Sequence, residues 1–181
     1  MTVFCTLSVR SENTRAAKDR DREQLLPPLL RQLGLPADIP IKRDQNGRLG
    51  FPQNTAADLS LSHADPLTAY AVGTSRLGID LEAPDRLRDP LSLAARFFTE
   101  AERQKVRSAT DLPLAACEIW TKKEALAKHI GTGLAATLGM DTESPPDGLI
   151  FSTHHIRKDG RLYVLTLCTR KDPDIHFFGN I

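Results

Sequence analysis

Hydrophobic and polar positions change period several times along the chain. Residues 3–9, VFCTLSV, alternate as a strand does. The charged stretch that follows, SENTRAAKDRDREQLLPPLLRQLG (11–34), spaces its leucines for a helix. Pro27 and Pro28 each remove a helical hydrogen bond, so the spacing predicts two helical pieces meeting near residue 26, closed by Gly34. IPIKRD, the turn signal Gln45-Asn46-Gly47 and RLGF predict a short hairpin. LSLSH (59–63) and LTAYAVG (67–73) predict two strands joined through Ala64-Asp65-Pro66, and GIDLE (78–82) predicts another.

The second half repeats that order loosely. SLAARFFTEAERQKV (92–106) and LAACEIWTKKEALAKHIG (114–131) have helical spacing, and residues 149–168 predict a hairpin around Lys158-Asp159-Gly160. Each half places a helix before antiparallel strands. The expectation is an α+β fold of two related halves, residues 1–77 and 78–181, each a small antiparallel sheet with packed helices, and a site in the cleft between them.

Composition narrows this picture only in places. The 181 residues, 40% of them apolar, suffice for a buried core. Lys and Arg number 24 against 23 Asp and Glu, so net charge gives no reason to expect nucleic acid as a partner, and charge arguments must be local. No apolar run reaches the ~20 residues of a membrane helix, and the start MTVFCTLSVR lacks signal-peptide character. A cytoplasmic protein without a membrane partner is expected. Cys5, Cys117 and Cys168 are widely spaced, which suggests buried reduced thiols.

GIDLE raises the first chemical question. A strand turns Asp80 and Glu82 to one side and Ile79 and Leu81 to the other, so two like charges stand together. Either water screens them or a cation sits between them. On the helix WTKKEALAKHIGTGL, Trp120, Glu124 and Lys128 recur every four residues along one face. Asp80, Glu82 and Glu124 together can offer oxygen ligands to a hard cation such as Mg2+. His154 and His155 are adjacent and point to opposite faces, which does not suit a metal.

These residues match a known pattern. Gly78-x-Asp80-x-Glu82, then Phe98-Thr99-x-x-Glu102, then Trp120-x-x-Lys123-Glu124-Ala125-x-x-Lys128 with Gly131-x-Gly133-Leu134 follow in register, preceded by Ser60-Leu61-Ser62-His63. Over roughly residues 12 to 170 the sequence resembles the 4'-phosphopantetheinyl transferases of the monomeric, two-half type typified by the surfactin-synthetase activator. Two positions depart from that family: Gly-Lys-Pro stands as Gly47-Arg48-Leu49, and Ser60 replaces an asparagine.

The resemblance implies transfer of 4'-phosphopantetheine from coenzyme A to a serine of an apo acyl or peptidyl carrier protein, with release of adenosine 3',5'-bisphosphate. It implies Mg2+ on Asp80, Glu82 and Glu124, Lys128 on the pyrophosphate, and Glu124 or Glu102 as the base. Arg48, Ser62, His63 and Arg22 are implied to meet coenzyme A. Lys123, about 100° around the helix from Glu124, reads as orienting or structural. The basic residues Arg86, Arg88, Arg96, Arg103, Lys105 and Arg107 offer a surface for an acidic carrier. The competing expectations are another Mg2+-dependent phosphoryl enzyme, for which no G-x-x-x-x-G-K-[ST] loop is present, and a degenerate module that binds carriers without modifying them.

Overall fold

A computed structural model describes residues 1–178 except 11, 13, 53, 54 and 147. Residues 11 and 13 of the charged stretch thus lie outside the described residues. The alternating start is strand β1 (Thr2–Val9). One continuous helix, α1 (Arg15–Gln32), follows, with Pro27 and Pro28 inside it. The expected break does not occur. The carbonyls that the two prolines leave without a helical donor belong to Glu23 and Gln24, both exposed to water, while Leu26, Leu29 and Leu30 anchor the same stretch in the core. Thr14 caps the start by accepting from the Ala17 amide, and the Leu35 and Gly34 amides close the end on Leu30 and Arg31.

The hairpin is short: β2 (Lys42–Arg43) and β3 (Leu49–Gly50) around the Asn46-Gly47 turn. Strands β4 (Asp58–Ala64) and β5 (Leu67–Gly73) follow, joined by a turn with a cis Asp65–Pro66 peptide. GIDLE lies in β6 (Leu77–Glu82). The helical stretch 92–106 is two helices, α2 (Pro90–Phe97) and α3 (Glu100–Ser108). They part at Phe98-Thr99 because Thr99 and Glu102 form a capping box that starts a new helix. Helix α4 (Leu112–Ile130) leads to the hairpin β7 (Ile150–Lys158) and β8 (Arg161–Thr169), and the chain's last described strand is β9 (Asp174–Phe178).

The strands form one sheet in the order β4-β5-β1-β9 and another in the order β6-β8-β7. Val3, Ala69 and Ala71 of the first meet Ile79, Leu81, Leu165 and Leu167 of the second in a common core. Helix α1 covers the far side of the first sheet through Leu26, Leu29 and Leu30 against Leu59, Tyr70 and Val72. Helix α4 covers the second, with Ala125 and Leu126 packed near Cys168. Strand β9 crosses the boundary expected at residue 77: it pairs in parallel with β1 of the first sheet. All three cysteines are free and buried, and burial pushes the Cys5 thiol up to about 12. Among the described residues no helix is long and apolar enough to cross a membrane.

Two contacts bring β4, β6 and α4 together. Every second residue of β4 reaches β6: Asp58 accepts from the Leu77 amide at 2.9 Å, Ser60 from the Ile79 amide at 3.0 Å, and Ser62 donates to Asp80 at 2.7 Å. This satisfies amides on the edge of β6 that β8 does not use. Gly78 then lets α4 lie directly on β6, since a Cβ there would stand 2.1 Å from the Ala125 carbonyl oxygen and 2.5 Å from the His129 nitrogen.

Candidate active site

The polar stripe of β6 and one face of α4 converge on Asp80. This carboxylate is 4% exposed, with its Oδ1 2.7 Å from Ser62 Oγ and 2.8 Å from Lys128 Nζ. Lys128 also donates to Ser62 Oγ at 3.0 Å, closing a triangle of three side chains from β4, β6 and α4. In this structure the cation paired with Asp80 is the Lys128 ammonium. Ile79 and Leu81 face the common core, as alternation requires.

The flanking acids are costly to ionise. Burial, then the charge of Asp80, pushes the Glu82 carboxyl up to about 7. The same two causes raise Glu124, opposed by Lys128 one turn away. Asp80 Oδ2 is buried with no hydrogen-bond partner among the described residues. An orphan carboxylate oxygen between two desolvated carboxyls suits a hard dication in its chemistry. Yet among the described residues no three acids are gathered as a ligand set. Like charges repel, and Lys128 already occupies Asp80 Oδ1, so the expected triad stands open around Asp80 rather than closed on one point.

Other expected residues fall in different places. Glu102 is fully buried: its carboxylate accepts from Thr99 N, Thr142 N and Thr142 Oγ1, each at 2.8 Å, and pairs with Lys123 Nζ at 2.8 Å. Burial alone would raise this carboxyl, but the Lys123 ammonium and the donors around it hold it below the ordinary value. Lys123 is equally buried and also donates to the carbonyls of Leu138 and Met140. Glu102 and Lys123 thus satisfy each other at full burial, and neither lines the cleft beside Glu124 or the two larger cavities. Trp120 packs on Phe97, with ring centres 5.6 Å apart. Of the basic residues, Arg103 and Arg107 pair with Glu100, and Lys105 with Glu143. The two histidines do point apart, His154 to Phe177 and His155 to Glu118.

Glu124, Lys128, Ser60 and Leu61 line a cleft of about 270 Å³ that reaches Gly131 and Gly133. A neighbouring cavity of about 520 Å³ is strongly cationic, lined by Arg10, Arg15, Lys18, Arg22, Arg43 and His63. Arg22 borders it while paired with Asp19 at 2.8 Å. Burial and the charges of Lys18, Arg10 and Lys128 lower the His63 pKa, which favours the neutral ring. A third cavity, about 910 Å³, lies beside the β2–β3 hairpin and is lined by none of the three acids. Arg48 is the surprise: its guanidinium is held by Asp58 and by the carbonyls of Leu49, Leu77 and Lys128, at a wall shared by this cavity and the cleft beside Glu124.

A sequence profile described as the 4'-phosphopantetheinyl transferase superfamily matches residues 76–179, more than half of the chain. The chain belongs to this superfamily. Its match begins just before β6 and takes in α4, so the elements that carry Asp80, Glu82, Glu124 and Lys128 are superfamily elements. Over 79 residues the chain is 40% identical to the 4'-phosphopantetheinyl transferase HetI of Nostoc sp. (strain PCC 7120), which covers 42% of this chain and 33% of that protein. The aligned stretch thus spans about a third of the relative's length.

Sequence reasoning missed Arg10, whose buried guanidinium borders the cationic cavity, and Asp58, which ties β4 to β6 and to Arg48. Asp58 was detectable, since Asp58, Ser60 and Ser62 form a period-two polar stripe on a strand whose alternate residues are leucines. Arg10 stands at the end of a strand among many charges, with nothing local to single it out.

Proposed function

We propose that this protein transfers the 4'-phosphopantetheine group of coenzyme A to a serine hydroxyl of an apo acyl or peptidyl carrier protein, releasing adenosine 3',5'-bisphosphate. The observation that carries the reading is the Ser62, Asp80 and Lys128 triangle beside Glu82 and Glu124, of which β6 and α4, though not the Ser62 strand, lie within the superfamily match. Asp80, Glu82 and Glu124 would hold Mg2+, which supplies charge neutralisation on the pyrophosphate oxygens when bound. The Lys128 ammonium turns from Asp80 to the pyrophosphate and stabilises the leaving group. The serine proton goes to Glu124, whose carboxyl is made more basic by burial and by the charge of Asp80 and which borders the cleft, whereas Glu102 is sealed with Lys123.

The cationic cavity receives the phosphates of the nucleotide, with His63 and Arg22 at its wall, while Ser62, next to His63 in the chain, bonds to Asp80. Two related halves supply both sides of the cleft within one chain, so a monomer suffices. In support, β1 and β6 each precede a helix and then a hairpin whose second strand pairs back antiparallel: β1 with β5, β6 with β8. Buried free thiols fit a reducing compartment, the cytoplasm.

Incubation with coenzyme A, Mg2+ and an apo carrier protein should add the mass of phosphopantetheine to the carrier. No addition to any apo carrier tested overturns the proposal, and carrier binding without addition identifies a docking module. Asp80→Ala should lower transfer at least ~100-fold with the circular dichroism spectrum retained; full activity in that variant removes the metal assignment.

A further inference from the structure

We propose that Arg48 is a positioning residue. With Arg76 and Asn46 it holds the C-terminal turn of α4 against the first half of the chain, and so fixes Lys128 and Glu124 beside Ser62 and Asp80. The kinetic part of the test rests on the transferase reading; the structural part does not.

The last carbonyls of a helix have no intrahelical donor, and a cation nearby complements the negative end of its dipole. In α4 each of these carbonyls meets a side chain from residues 46–76. Arg48 Nε donates to Lys128 O at 2.9 Å, Arg76 Nε to His129 O at 2.6 Å, Arg76 Nη2 to Ile130 O at 3.3 Å and Asn46 Nδ2 to Gly131 O at 2.6 Å. Gly131 ends the helix at φ 84°, and a Cβ there would stand 2.5 Å from Arg76 Nη2, so glycine both turns the chain and lets that guanidinium approach.

Arg48 is anchored on the other side as well. Its Nη2 donates to Asp58, which also accepts from the Leu77 amide, and to the Leu77 carbonyl at 3.0 Å. One planar side chain thereby joins β4, β6 and α4, the three elements that present Ser62, Asp80 and Lys128. The carbonyl that Arg48 holds belongs to Lys128 itself, whose ammonium lies 2.8 Å from Asp80. The guanidinium makes these bonds at the wall of two cavities, so the kinetic test separates positioning from the nucleotide contact expected from the sequence. The geometry also assigns a reason for arginine at this position: a lysine has no fork to reach Asp58 and two carbonyls at once.

The test uses Arg48→Lys, Arg48→Ala and Asn46→Ala, the last at an exposed residue that leaves the buried pair intact. All three should speed amide exchange at Ile130 and Gly131 by ~10-fold or more with β8 still protected. In transfer assays Arg48→Lys and Arg48→Ala should lower kcat by ~10-fold or more, with KM for coenzyme A within ~2-fold of the parent, because the groups are misplaced rather than the nucleotide lost. Unchanged exchange in both Arg48→Lys and Asn46→Ala overturns the proposal. So does a raised KM with unchanged kcat in Arg48→Ala, or wild-type kinetics in Arg48→Lys, since either makes Arg48 a charge contact for the nucleotide. If the parent protein transfers nothing, the functional reading fails while amide exchange still decides the clamp.

Discussion

Glu102 and Glu124 are both candidate bases, and their surroundings differ. Glu102 is paired with Lys123 at full burial, so removing one partner leaves an uncompensated charge. Glu102→Gln should therefore cost about 3 kcal/mol in urea unfolding while transfer per folded molecule stays within ~2-fold. Its pKa is held below the ordinary 4.5, so the pair's stabilisation is complete above that pH and is lost as pH falls through the folded value. The parent should lose stability on acidification below 4.5 more steeply than Glu102→Gln, measured by urea midpoints at pH 3 to 6. Glu124→Gln should do the reverse: transfer falls at least ~100-fold and the urea midpoint does not drop, because its carboxylate is desolvated beside Asp80.

At the scale of elements, the registration of α4 on β6 depends on one missing side chain. Gly78→Ala places a methyl group 2.1 Å from a helix carbonyl oxygen, a clash with backbone that no rotamer relieves. A loss of about 3 kcal/mol or failure to fold is expected, read by thermal denaturation, and a variant as stable as the parent would mean that α4 does not sit as described. Helices α2 and α3 show how tertiary demands and local signals combine. The helical period runs through residues 92–106, but Thr99 and Glu102 stop one helix and start another, and Glu102 then serves the buried pair from the new first turn. Local rules alone also broke α1 at its prolines. Three buried leucines outweigh two lost hydrogen bonds whose carbonyls are open to water.

For the molecule as a whole, the two sheets share a core and are joined at the edge where β4 meets β6. The last strand adds a second tie, because β9 pairs with β1 and sets Ile175 and Phe177 against the common core. Truncation before Asp174 should lower stability by about 2–4 kcal/mol and expose β1 amides to exchange, with β7 and β8 less affected; unchanged protection in β1 would show that β9 contributes no tie.

Periodicity and turn residues determined most strands, the helix α4 and the side to which Asp80, Glu82, Glu124 and Lys128 point, because those features depend on neighbours two to four positions away. The order of motifs determined the family. What sequence left open depends on residues far apart in the chain: the ammonium of Lys128 on Asp80, the burial of Glu102 with Lys123, and the engagement of Arg48 with Asp58 and α4. Charge type and spacing are the same for a solvated face and a buried pair, and only the tertiary contacts, by removing water from one and not the other, decide which it is.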